Sequence, residues 1–212
     1  MKRAWGETAD VYRMGSRSPM RPEEMASEIS DALPANAILV PDTGHSSMWA
    51  RQMVELRHPE QRYIRCAGTL GWGLPGAIGV QCAAPDRKAV LWTGAGGLYY
   101  HLAELETAAR YGINLVVVCN NNSALNQEYM SVFAAYGGKL GPRSREIYSF
   151  RDTDFAKVAE DLGCVGLRAT TRSQFREALT HALSLDRPVE IDAVTDVAAM
   201  AVPPPGFRRP RA

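Results

Sequence analysis

Two stretches of the sequence place small or amide residues directly after an apolar run, where a ligand could bind. KAVLWTG is followed by AGG at residues 95–97, and INLVVV is followed by CNNNS at residues 119–123. Glycines between a strand and a helix leave the backbone N–H groups unhindered, and a helix N-terminus favours anions. The first stretch therefore predicts a phosphate site, whereas the asparagines could join that site or simply cap the strand and turn.

Three common motifs with related residues do not fit these stretches. A dinucleotide fingerprint needs G-x-G-x-x-G, but Tyr99 stands where the third glycine belongs and no acid ends the next strand. The Gly-Lys-Ser/Thr of a Walker A loop is absent. GHSSM resembles the G-x-S-x-G nucleophile elbow of hydrolases, but Met48 replaces its last glycine. The phosphate site is therefore of another kind.

The elements that position these stretches alternate between strand and helix. Apolar runs predict buried strands at AILVPDTG, KAVLWTG, INLVVVCN and PVEIDAVT, and helical patterns occupy residues 21–34, 46–56, 69–84, 98–112, 153–163 and 173–186. This alternation predicts an α/β fold with a single doubly wound parallel sheet and helices on both faces. The polar loops all follow strands, at the carboxyl edge where such sheets bind ligands. We expect an arm at 1–20, one domain at 21–200 and a Pro- and Arg-rich tail at 201–212.

Composition limits the classes of partner. The net charge of +1 gives no reason to expect nucleic acid or an anionic membrane as a partner. No apolar run approaches membrane-spanning length, and the N-terminus lacks the apolar segment of a secretory signal. Four scattered cysteines argue against zinc and disulfides and predict buried thiols in a reducing compartment. We therefore expect a cytoplasmic protein.

The ordered motifs resemble one known family, the thiamine diphosphate-dependent enzymes. That family carries Gly-Asp-Gly, a helix, a strand and an Asn-Asn pair, and here Asn122 follows Ala95 by the family's spacing of 27 positions. AGTLGWGLPGAIGVQCAAPDR is similar to the glycine-rich turn of the acetolactate synthase group, and PDTGHSSMWA to its first diphosphate loop. The resemblance covers residues 21–205 and identifies the chain as a C-terminal diphosphate-binding domain.

The resemblance implies thiamine diphosphate and Mg²⁺ as cofactors and gives roles to particular residues. The side-chain oxygen of Asn122 and the carbonyl of Ala124 would bind the metal. Leu70 would support the bent cofactor, the carbonyl of Gly68 would accept from its amine, and Glu128 could reach the substrate, so these three are the catalytic candidates. The diphosphate would meet the loops that contain Gly44, His45, Ser46, Gly94, Gly96 and Gly97. His45 could equally be an ordinary surface histidine.

The resemblance also implies a 2-oxo acid decarboxylase or carboligase that needs a second chain. Family members place the cofactor against a pyrimidine-binding domain that carries a catalytic Glu, and nothing in this sequence resembles that domain. We therefore expect a split enzyme with a separate pyrimidine-domain subunit, a homo- or hetero-oligomer, a 2-oxo acid substrate and no turnover by this chain alone.

Ala95 departs from the family pattern, because it replaces the metal-binding Asp. A natural variant with a weak metal site, a non-catalytic structural or regulatory subunit, and a deliberate substitution would each explain it. Intact Gly68, Leu70, Gly96, Gly97 and Asn122 favour an enzyme, because a decayed site would have no need to retain them together.

Overall fold

The computed structural model describes residues 15, 17–66 and 68–201. Most of the predicted N-terminal arm and nearly all of the predicted tail lie outside these residues. Met20, the last residue of that arm, is fully buried and forms a parallel bridge with Thr195.

A six-stranded, wholly parallel sheet in the order β2-β1-β3-β4-β6-β5 forms the centre of the fold. The strands are β1 (Ile38–Pro41), β2 (Arg62–Tyr63), β3 (Ala89–Gly94), β4 (Val116–Asn121), β5 (Val165–Ala169) and β6 (Val189–Val194). The predicted parallel α/β sheet is confirmed. The four continuous apolar runs became the four central strands, whereas the two edge strands, β2 and β5, were not predicted. Strand β2 is only two residues long, and β5 is mostly half-exposed, so neither carries a clear apolar run.

Eight α-helices in the described residues surround the sheet. They are α1 (Pro22–Ala32), α2 (His45–Met53), α3 (Gly73–Ala83), α4 (Ala95–Tyr100), α5 (Glu104–Arg110), α6 (Asn126–Ala135), α7 (Phe155–Asp161) and α8 (Arg172–Ser184), with a 3₁₀ turn at Ser144–Ile147. The single helix predicted over 98–112 is wrong, because the chain breaks at His101 into α4 and α5. The backbone of Gly71 packs directly against Tyr100 and His101 at this break, a tertiary contact that helical periodicity does not encode.

Helices cover both faces of the sheet, as predicted, and create two apolar clusters. On one face α1, α2 and α8 pack against side chains such as Val90 and Trp92. On the other face α3, α4, α5 and α7 pack against side chains such as Leu91 and Val117. Alternate residues of β3 therefore point to opposite faces, as the two-residue period of a strand requires. Fully burying one large apolar side chain of this kind stabilises the fold by about 1.5–3 kcal/mol.

The cysteines differ partly from expectation. Within the described residues none of the four forms a disulfide; Cys119 and Cys164 are buried, but Cys82 on α3 is exposed and Cys66 is half-buried. The prediction of buried thiols is therefore wrong for Cys82. None of the helices in the described residues is long and apolar enough to cross a membrane.

Candidate functional site

A cavity of about 270 Å³ lies at the carboxyl ends of the central strands. The sheet extends from β1 to β2 in one direction and from β3 to β4 in the other, so the ends of β1 and β3 flank a topological switch point. All candidate residues from the sequence line this one cavity: Gly44, His45, Ser46, Gly68, Leu70, Gly94, Gly96, Gly97, Asn122, Ala124 and Glu128. Sequence reasoning left the role of Asn120 open and missed Thr43 and the start of α6 (Leu125, Asn126 and Gln127), and all of these also line the cavity.

Helix α6 was missed because its sequence carries weak signals. It begins at Asn126, directly after the asparagine loop, and its N-cap residue Leu125 forms no side-chain cap bond. Gln127 and Glu128 in its first turn are exposed. Its start therefore lacks the Ser, Thr, Asp or Asn cap by which a helix N-terminus is recognised.

The loop after β1 supplies the first wall. Gly44 has φ +99°, in the region that favours glycine, and caps α2 at its N-terminus. The Ser47 hydroxyl donates to the carbonyl of Gly44 at 3.0 Å, and the Thr43 hydroxyl donates to the carbonyl of Cys66 at 3.2 Å. These bonds fix the loop and tie it to the segment that continues to Gly68 and Leu70.

Asp42, which sequence analysis did not single out, holds three segments together beneath the cavity. Its Oδ1 accepts from Gly73 N at 3.0 Å, and its Oδ2 accepts from Gly71 N at 3.1 Å and from the Thr93 hydroxyl at 3.0 Å. The side chain is buried, and the described residues supply donors to both oxygens. The carboxylate therefore joins β1, the glycine-rich turn and β3. The one feature of the sequence that could have drawn attention to Asp42 is the position of an acid at the end of a predicted strand.

The turn from β3 into α4 supplies the second wall and packs tightly against its surroundings. A Cβ at Gly97 would overlap Oδ2 of Asp42, and a Cβ at Gly96 would overlap the Leu125 side chain. Ala95, which directly precedes Gly96, is buried in an apolar cluster and does not line the cavity. Among the lining residues, which all belong to the described chain, Glu128 is the one carboxylate.

The asparagine loop after β4 supplies the third wall, and its three amides do different things. The Asn120 Oδ1 accepts from the Thr195 hydroxyl at 2.6 Å. The Asn121 Nδ2 donates to Asp192 Oδ1 at 2.8 Å, away from the cavity. The Asn122 Oδ1 accepts from Ala124 N at 3.1 Å, and this oxygen retains a second lone pair. A purely structural role therefore suits Asn121, while Asn122 lines the cavity.

His45 lines the cavity with an unsatisfied nitrogen. Its Nδ1 is buried and has no hydrogen-bond partner in the described part of the chain. The ring packs edge-on against Trp49 at a centroid distance of 5.2 Å, and burial lowers the pKa of His45 to about 4. The imidazole is therefore neutral at pH 7. Buried polar groups without a partner are uncommon, and one beside a cavity fits a ligand that supplies the missing bond.

Comparison with known proteins identifies the family to which this arrangement belongs. A family model described as thiamine pyrophosphate enzyme, C-terminal TPP binding domain, matches residues 42–193. The chain belongs to this family. The matched segment contains the three walls of the cavity, from the loop after β1 through α6, and continues to β6. Thiamine pyrophosphate is another name for thiamine diphosphate, so the recognition made from the motifs is confirmed.

Individual relatives point the same way. The chain is 30% identical over 198 residues to a probable acetolactate synthase large subunit of Methanococcus aeolicus, covering 90% of this chain and 32% of that protein. It is 32% identical over 177 residues to benzoylformate decarboxylase of Pseudomonas aeruginosa, covering 84% and 33%. A solved structure of the thiamine diphosphate-dependent 4-hydroxybenzoylformate decarboxylase of Rhodococcus jostii RHA1 matches with a TM-score of 0.75 and 27% identity, covering 86% and 34%. The chain thus spans about a third of each relative.

Proposed function

We propose that this thiamine pyrophosphate-binding domain, residues 21–200, is the diphosphate-binding subunit of a split 2-oxo acid decarboxylase or carboligase. The observation that carries the proposal is the convergence of the motif residues on one cavity at the switch point of the sheet. The kinds of activity come from the relatives, one a probable acetolactate synthase subunit and one a benzoylformate decarboxylase. A partner chain with a pyrimidine-binding domain completes the site, in a homo- or hetero-oligomer.

The cavity residues fit a diphosphate. The Nδ1 of His45 has no hydrogen-bond partner among the described residues. Gly96 and Gly97 lie in the first turn of α4, where backbone N–H groups have no acceptor within the helix. Together with Gly44, Ser46 and Gly94 they would bind the phosphate oxygens, because N–H groups and a helix N-terminus favour anions. This wall would hold and orient the cofactor.

The fit to Mg²⁺ is weaker. Asn122 and Ala124 offer a side-chain and a backbone oxygen, both neutral, and the buried methyl group of Ala95 offers none. Mg²⁺ prefers six oxygen ligands and usually binds through one or two carboxylates together with phosphates and water. We therefore expect the metal to rely on the diphosphate and on water, and to bind weakly to this chain.

The remaining lining residues would act on the substrate side of the cavity. Leu70 would support the cofactor, the Gly68 carbonyl would accept a hydrogen bond from its amine, and the exposed carboxylate of Glu128 would face the 2-oxo acid. When bound, thiamine diphosphate supplies the carbon nucleophile and the electron sink that decarboxylation needs. The chain's own contribution is to bind, orient and exclude water.

A second candidate is a non-catalytic subunit that keeps the fold and has lost the metal site. Ala95 favours it, because the side chain packs in an apolar cluster and cannot bind a metal. Such a subunit would serve a structural or regulatory role beside an active partner.

Calorimetric titration of thiamine diphosphate and Mg²⁺ into the purified chain tests both candidates. It is repeated with a pyrimidine-domain partner, with Ala95→Asp, and with Ala95→Asn, which has nearly the same shape as Asp but no charge. Binding that tightens with the partner supports the split enzyme. Binding that only Ala95→Asp restores supports the non-catalytic subunit. Turnover of a 2-oxo acid by the chain alone contradicts the split enzyme, and no binding by Ala95→Asp with the partner contradicts both.

A further inference from the structure

A line of polar contacts runs from the surface of edge strand β5 to the asparagine loop of the cavity. Arg168 on β5 pairs through Nη1 with Oδ2 of Asp192 on β6. The other oxygen of Asp192 accepts from Nδ2 of Asn121 at 2.8 Å. Asn121 Oδ1 in turn accepts from the backbone N–H of Ser123 at 3.1 Å. Arg168 is therefore connected to the turn that carries Asn122 and Ala124 without touching the cavity.

The turn at Ser123 needs external support. Ser123 has φ +52°, and among the described residues it is the one non-glycine with a positive φ. A left-handed conformation in a residue with a Cβ costs about 1–2 kcal/mol. It persists only where surrounding contacts hold it, and such contacts cluster at functional sites. The bond from Ser123 N to Asn121 is one of these contacts, and it depends on the orientation of the Asn121 amide.

Asp192 fixes that orientation together with the carbonyl of Thr153, which also accepts from Nδ2 of Asn121, at 3.0 Å. A carboxylate and a carbonyl only accept hydrogen bonds, so the Nδ2 group of Asn121 must face them and Oδ1 must then face Ser123. Asp192 is fully buried and also accepts from Phe155 N at 3.1 Å. Burial raises the pKa of Asp192, and the Asn121 hydrogen bond and the Arg168 charge oppose that rise. Arg168 therefore helps to keep Asp192 ionised and acceptor-only.

We propose that Arg168 and Asp192 are positioning residues for the metal-binding loop and act through Asn121 to present Asn122 and Ala124. The inference rests on the proposed function, since it gives these two residues the role of metal ligands. Contacts behind metal ligands commonly change metal affinity by about 10- to 100-fold when removed. A simple structural brace between β5 and β6 would instead change stability and leave the loop unaffected.

The test uses the full chain and compares wild type with four variants: Arg168→Met, Arg168→Lys, Asn121→Ala and the double variant Arg168→Met/Asn121→Ala. Arg176→Met is the matched control, because it also removes an arginine from a buried carboxylate, that of Glu28, on helices that do not line the cavity. The readouts are amide hydrogen exchange at Ser123 and Ala124, which needs no cofactor, and the Kd for Mg²⁺ in the presence of thiamine diphosphate. Circular dichroism confirms that each variant is folded.

We expect Arg168→Met to speed exchange at Ser123 and to weaken Mg²⁺ binding by about tenfold. Arg168→Lys should recover most of this loss, because it keeps a charge beside Asp192, and Arg176→Met should match wild type. Because Arg168 acts through Asn121, the double variant should bind no worse than Asn121→Ala alone. Equal effects of Arg168→Met and Arg176→Met, or additive losses in the double variant, overturn the inference. Absence of Mg²⁺ and cofactor binding in wild type counts against the proposed function, while the exchange rates still decide whether Arg168 supports the turn.

Discussion

Replacing Glu190 by glutamine should make the chain more resistant to rising pH. Glu190 on β6 is fully buried, and neither carboxyl oxygen has a hydrogen-bond partner among the described residues. Burial raises the pKa of this group well above its ordinary value of 4.5, and the nearby charges of Asp192 and Asp154 raise it further. The folded chain therefore holds a proton on Glu190 at pH values where the unfolded chain has released it.

The size and sign of the effect follow from that proton. Below pH 4.5 both states are protonated, and the contribution of Glu190 to stability is fully present. Between pH 4.5 and the higher pKa of the folded state, the free energy of unfolding falls by up to about 1.4 kcal/mol per pH unit. From pH 5.5 to 7.5 this amounts to as much as about 3 kcal/mol. Glutamine has nearly the same shape and no proton to release, so Glu190→Gln should lack this decline.

Urea denaturation at pH 5.5, 6.5 and 7.5, followed by the fluorescence of buried Trp49 and Trp92, measures the difference. The stability of the variant relative to wild type should grow steadily with pH. Glu160→Gln, which removes an exposed carboxyl from α7, is the control and should run parallel to wild type. Parallel curves for Glu190→Gln would mean that the buried carboxyl ionises without penalty, and the reasoning from its missing partners would be wrong.

Three further changes test other parts of the fold. Gly97→Ala should lower the free energy of unfolding by about 1–3 kcal/mol in urea titrations, because its Cβ would overlap Asp42. Gly79→Ala on α3, where a Cβ meets nothing within 4 Å, should be neutral or slightly stabilising, and equal effects of the two variants would contradict this account. In the native chain, iodoacetamide should alkylate exposed Cys82 but not Cys119 or Cys164, because burial raises the pKa of each of these two thiols and blocks access. Mass spectrometry measures the labelling, and rapid labelling of Cys119 would contradict the core packing. Ala95→Asp should lower Tm by several degrees in EDTA, because burying a polar group that forms no hydrogen bond costs about 1–3 kcal/mol. Thiamine diphosphate with Mg²⁺ should raise the Tm of this variant more than that of wild type in scanning fluorimetry. Equal shifts would mean that the new carboxylate does not contact the metal.

The centre of the fold was predictable because its signals are local. Strands β1, β3, β4 and β6 are buried on both faces and therefore read as continuous apolar runs. The edge strands and the break between α4 and α5 were not predictable in the same way. The break coincides with the approach of Gly71 to His101, a contact between segments that are distant in the sequence.

The candidate site was likewise predictable from local signals only in part. Residue type and position after strands nominated the loops, and the family resemblance nominated the individual residues. The structure brings every nominated residue to one cavity. Their roles in binding and catalysis stay predictions. The bonds of Asp42 to Gly71, Gly73 and Thr93, and the link from Asn121 to Asp192, join residues 29 to 71 positions apart in the sequence, so single-sequence reasoning had no signal for them.

The structure changes which residues can separate an active subunit from a decayed one. Gly96 and Gly97 are required by their packing against Leu125 and Asp42, so either kind of subunit would retain them, and they do not favour the enzyme. His45 and Ser123 differ from these glycines. The Nδ1 of His45 has no hydrogen-bond partner in the part of the chain that the structure describes, and Ser123 is left-handed, so each lowers the stability of the fold. Natural sequences keep such local conflicts mainly where function needs them. His45 and Ser123, rather than the glycines, therefore weigh against a decayed site, even with alanine at position 95.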